Sequence, residues 1–123
     1  MKEEGMQELI DCFKKYKYVK DMEDIIKDIN TVQDMIDNKF YDKELVVELE
    51  SKYSIEIAFF VNLERENNII LDENFEDAGL QVLMNLRYRL YRIGVYRILK
   101  EKGKEVTKEI IRGNYKDLLE LLK

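Results

Sequence analysis

The chain has 123 residues, is 46% hydrophobic and 38% charged, and carries a net charge of −5 at pH 7. That is enough apolar material for one core, so a single all-α domain over 1–123 is expected. The absence of His and the single Cys12 exclude Ser–His and Cys–His nucleophiles, His-ligated zinc, an internal disulfide and a Cys-based cluster.

There is no Pro and only five Gly, a composition that favours helices over turn-rich β structure. The first helix is expected over 5–17, with Leu9, Ile10, Phe13 and Tyr16 inward. Cys12 lies on the same segment and reads as a buried structural thiol. In "VKDMEDIIKDINTVQDMIDNKF" the apolar residues Val19, Met22, Ile25, Ile26, Ile29, Val32, Met35 and Ile36 recur every three or four positions. That is an amphipathic helix of about five turns. Asp21, Asp24, Asp28, Asp34 and Asp37 fall on its outer side.

Asp42 is the expected N-cap of a third helix, "KELVVELESKY". Ser54 follows as a break. Residues 55–63 read two ways, because Ile55, Ile57, Phe59 and Val61 alternate as in a strand while Ile57, Phe60 and Val61 suit a helix. A lone strand cannot satisfy its backbone, which favours the helix. Phe59 and Phe60 stand side by side, and one helix face does not easily bury both, so Phe59 is a candidate for contact with a partner. A helix-turn-helix reader of DNA is disfavoured here, since Arg65 is the only cation able to read a base.

A long helix is expected over about 73–102, capped by Asp72 and stopped by Gly103. Gly79 and Gly94 inside it mark close packing or a kink. "KEVTKEIIR" and "YKDLLELLK" read as two short helices, separated by Gly113 and the cap Asn114. The whole is a compact helical bundle of five to seven helices around one long helix.

Within the long helix, "NLRYRLYRIGVYRIL" holds four of the six arginines. At 100° per residue, Leu83, Leu86, Leu90, Ile93 and Gly94 form the core-facing stripe. Arg89, Arg92 and Tyr96 fall opposite, toward solvent, with Arg87, Tyr88 and Tyr91 on the flank. Arg97 lands inside the stripe and should pair with an acid from the first half of the chain. The outer residues read either as a solvated face or as a contact surface for phosphate or carboxylate.

Charge is divided along the chain. Residues 1–82 carry 10 basic and 21 acidic side chains, and residues 83–123 carry 11 and 5. The halves thus stand at −11 and +6, which points either to two binding faces or to mutual neutralisation within a fold or a dimer.

No catalytic constellation, metal-ligand spacing or phosphate-binding loop is present, so no enzyme, metal or cofactor is expected. No stretch approaches the length of a membrane span, and "MKEEGMQEL" lacks a signal-peptide apolar region. A cytoplasmic location is therefore expected. The function expected is that of a helical interaction protein binding a protein partner, as an inhibitor or adaptor from a phage or mobile element, and forming a homodimer. Arg87, Arg89, Arg92, Tyr88, Tyr96 and Phe59 are the candidate contacts. The alternative is nucleic-acid binding through the Arg/Tyr face of 85–99, which the acidic net charge disfavours.

Overall fold

The computed structural model describes residues 6–16, 19–68, 77–105 and 107–123. Among the described residues there are seven helices and no strand. They are α1 (Met6–Lys15), α2 (Met22–Asp37), α3 (Lys43–Lys52), α4 (Ser54–Glu66), α5 (Ala78–Glu101), α6 (Lys108–Arg112) and α7 (Tyr115–Leu121).

The spacing of apolar residues decides what each helix buries. α1 turns Leu9, Ile10 and Phe13 inward. α2 buries Met22, Ile25, Ile29, Val32 and Met35, as its three-four periodicity requires. It ends where Lys39 adopts a left-handed conformation, φ 52°. The Lys39 amide then donates to the Ile36 carbonyl at 3.2 Å and the Phe40 amide to Met35 at 3.0 Å. This is a Schellman closure made without glycine.

Asp42 caps α3, its carboxylate accepting from the Leu45 amide at 3.2 Å. α3 passes into α4 almost without interruption. The Tyr53 amide donates to Leu49, and the Ile57 amide donates back to Tyr53 at 2.8 Å. The ambiguous segment 55–63 is therefore helix. Phe60 is fully buried while Ile55 is 85% exposed, a helical rather than an alternating pattern.

α5 begins at Ala78, five residues later than the spacing suggests. Asp77 caps it, accepting from the Leu80 amide at 3.1 Å. Asp72 and residues 73–76 lie outside the described residues. The helix stops at Gly103, φ 73°, with the Lys104 amide on the Leu99 carbonyl at 2.8 Å and Gly103 on Lys100 at 3.0 Å. α6 and α7 are short, and Asn114 caps α7 by accepting from the Asp117 amide at 3.0 Å.

α5 is the centre of the bundle. α2 packs along it most extensively, and α4, α6 and α7 also lie against it. α2 runs antiparallel to α5: Gln33 meets Arg87 near one end, and Asp21 shares a cleft with Arg97 and Lys100 at the other. From Leu90 to Val95 every residue is buried, so this part of α5 has no solvent side. At Gly94 an added Cβ would stand 2.6 Å from the tip of the Phe13 ring. The glycine is there because α1 crosses at that point. A continuous core runs from Leu9 and Phe13 through α2 and α5 to Tyr115 and Leu118.

Candidate interaction surface

The arginines of α5 are the first residues to place. Arg92, expected toward solvent, is fully buried, and Arg87 is only 5% exposed. The reason is the enclosure of α5: a helical wheel assigns an outside only to a helix that has one. A buried guanidinium needs a counter-charge, and α4 supplies it. Arg92 Nη1 donates to Glu64 Oε1 at 2.7 Å. Arg89, half-buried, stands 3.9 Å from the other oxygen of the same carboxylate. Burial pushes the Arg92 guanidinium below its ordinary value, and Glu64 opposes this. The Tyr88 ring covers the guanidinium at 4.5 Å, a cation–π contact.

Arg87 reaches the side-chain oxygen of Gln33 on α2 and lies 5.5 Å from the Tyr115 ring. Tyr88 stacks on Tyr115 with centroids 5.2 Å apart, and its hydroxyl donates to the Gly113 carbonyl. Arg87, Tyr88 and Arg92 thus tie α5 to α2, α4 and the α6–α7 corner.

Arg97 is the member of the group expected to face inward, and it pairs with an acid from the first half. Its guanidinium holds Glu56 of α4 through two hydrogen bonds, Nε to Oε2 at 2.9 Å and Nη2 to Oε1. Burial pulls Arg97 down, but the hydrogen bond and charge of Glu56 more than offset it, and the net shift is upward. Arg97 remains partly open, with its side chain 23% exposed against none for Arg92.

Asp28, expected on the outer side of α2, is only 8% exposed. It accepts from Lys52 Nζ at 2.8 Å and from the Tyr53 hydroxyl at 2.5 Å. The long reach of Lys52 lets a buried carboxylate sit at the α2–α3 seam with its charge met. Asp21, Asp24, Asp34 and Asp37 are exposed, as expected. Cys12 is half-buried, and burial raises its thiol above the ordinary value against the pull of Lys15 and Lys102. That is the opposite of activation.

Comparison with protein-family models, with curated proteins and with solved structures gives no match to this chain.

With the arginines internally engaged, the surface features that stand out are apolar. Phe59 is 39% exposed, its ring edge-on to Phe60 at 5.5 Å and 5.3 Å from Tyr96. Phe59 and Phe60 are thus divided between surface and core, and Tyr96 is half-buried behind them. Ile55 stands one turn before Phe59 and, among the described residues, is the most exposed large apolar side chain. Val47 of α3 is 53% exposed.

A second apolar region surrounds the α2–α3 turn. Phe40 and Tyr41 protrude there, beside a groove of about 410 Å³ whose lining includes Met35, Ile36, Tyr41, Leu80 and Leu83. Of these residues the sequence singles out Phe59 alone; Phe40, Val47 and Ile55 carry no signal until the packing is known. Among the described residues no three His, Cys, Asp or Glu side chains gather as metal ligands. No described helix is long and apolar enough to cross a membrane.

Proposed function

We propose that the chain is a non-enzymatic helical interaction protein that acts by binding a protein partner. One observation carries the reading. The four arginines of α5 are engaged within the fold, while Phe40, Val47, Ile55 and Phe59 remain on the surface. Exposed apolar side chains of this size, spread over adjoining helices, are what a protein–protein contact uses. An inhibitor or adaptor role fits the same chemistry.

The test is affinity capture from the source cells with the tagged wild-type chain and a Phe40→Asp, Val47→Asp variant, followed by reconstitution with the purified partner. A stoichiometric complex weakened by the substitutions supports the reading. Turnover of a substrate by the isolated chain, or no complex formed by it with itself or another macromolecule, overturns it.

Nucleic-acid binding is the competing reading, and it would have to use other cations than Arg87 and Arg92, which have almost no surface to offer a phosphate. Lys100, Lys102 and Lys104 at the end of α5 are exposed. Fluorescence anisotropy with labelled single- and double-stranded oligonucleotides at two salt concentrations decides between them. Salt-sensitive binding lost on Lys100→Glu with Lys104→Glu would favour nucleic acid.

A further inference from the structure

We infer that the outer face of α4 is the contact surface for a second copy of this chain, packed antiparallel about a twofold axis near Ala58. The inference rests on the interaction-protein reading and names one of its surfaces and its occupant.

The exposed residues in the first part of α4 are Ser54, Ile55, Ala58, Phe59 and Asn62. They repeat at helical spacing on one face, and none is charged. In a chain that is 38% charged, this needs a physical account. The one charge between Lys52 and Glu64 is Glu56, and it is turned aside into the pair with Arg97. The face therefore consists of two large apolar side chains, Ile55 and Phe59, set among small and polar ones. Ser54 and Ala58 would let a second helix approach closely.

Its neutrality argues for a second copy as the occupant. Two chains of net charge −5 repel, and their association is least opposed where neither presents charge. A foreign partner chosen by electrostatics would instead be met by a charged face.

The ends of the face supply the orientation. Glu50 precedes it, and Arg65 and Glu66 follow it; all three are exposed, and among the described residues none of them has an ion pair. In an antiparallel pair centred on Ala58, Arg65 of one copy comes beside Glu50 of the other, twice over. Ile55 of each copy then lies near Phe59 of the other. A parallel pair would set Arg65 against Arg65 and Glu50 against Glu50. The twofold arrangement is the isologous contact that closes on itself.

Sedimentation equilibrium over a rising concentration series tests this. The expected mass climbs from 14.8 kDa toward twice that value. Ile55→Glu, at a side chain 85% exposed, is expected to weaken the dimer by about tenfold or more without changing the circular dichroism, or the thermal midpoint at a concentration where both chains are monomeric. Arg65→Glu should weaken it as well, and Arg65→Glu combined with Glu50→Arg should restore it to within about threefold. A mass that stays at 14.8 kDa up to about 1 mM, a dimer indifferent to Ile55→Glu, or a failure of the charge swap to restore association overturns the proposal. A monomeric chain that still captures a foreign protein leaves the interaction reading standing and removes this surface assignment alone.

Discussion

Arg92 is the residue on which the α4–α5 seam turns. Its side chain has no exposed surface, and its counter-charge is the single carboxylate of Glu64 at 2.7 Å. The energetic weight of such a pair lies in what happens when half of it is removed. Glu64→Ala leaves a guanidinium in the core facing only the Tyr88 ring, and should cost about 3–5 kcal/mol. Replacing both, with Arg92→Met and Glu64→Leu, should cost less, because the fully buried charge is then gone and only the partly exposed Arg89 loses a distant partner. Urea unfolding of Arg92→Met, Glu64→Leu and the double variant forms the cycle that checks the pair, with Glu64→Ala measured beside it. If Glu64→Ala costs under about 1 kcal/mol, the pair is solvated and the burial argument fails. The role of Arg92 was hidden from the sequence for the same reason. The three-four spacing along α5 says that Leu86, Leu90 and Ile93 face a core, and they do. It does not say that the opposite face is covered too. Arg97 was legible because it falls inside the apolar stripe, where a charge demands a partner. Arg92 falls outside the stripe, and only the packing of α4 reveals its burial.

At the scale of the elements, the caps were the most readable part of the chain. Asp42, Asn114 and Gly103 act where the residue types say they should, since capping is a local matter of a short acceptor or a left-handed backbone. The sequence offers two good caps for α5, Asp72 and Asp77, and the helix described at Ala78–Glu101 starts from the second. The closure of α2 uses Lys39 at φ 52°, where a side chain is strained by roughly 1 kcal/mol. Lys39→Gly should therefore raise stability by about 0.5–1 kcal/mol, seen as a higher urea midpoint with an unchanged slope. Gly94→Ala should move the other way. Helix propensity alone favours Ala by roughly 1 kcal/mol. The new methyl would meet Phe13, a fully buried ring, at 2.6 Å, and overpacking a core typically costs about 1–3 kcal/mol. A net loss is expected in thermal unfolding. A gain would mean that α1 can slide off α5 without penalty.

For the whole molecule, the division of charge between the two halves finds part of its explanation in the fold. Glu56 and Glu64, from the acidic half, hold Arg97, Arg92 and Arg89 from the basic half. A second polar knot, Asp28 with Lys52 and Tyr53, joins α2 to the α3–α4 bend and sets how stability should depend on pH. Burial raises the Tyr53 hydroxyl above its ordinary value of 10.0, and its hydrogen bond to Asp28 adds to this. Lys52 is also raised, chiefly by its hydrogen bond to the same carboxylate, against some desolvation. Both groups bind their protons more tightly folded than unfolded. Their contribution is therefore complete below the unfolded values near 10 and is lost as pH rises beyond them. Stability should stay level from pH 7 to about 9 and fall steeply above about 10. Tyr53→Phe should lower stability at pH 7 by about 1 kcal/mol, through the lost hydrogen bond to a buried carboxylate. It should also flatten the alkaline decline, since the buried phenol is no longer there to ionise. Urea midpoints of wild type and Tyr53→Phe at pH 7, 9 and 10.5 separate the two effects. Parallel curves above pH 9 would show that the alkaline loss arises elsewhere, and the Asp28 knot would then be a packing feature without a titrating part.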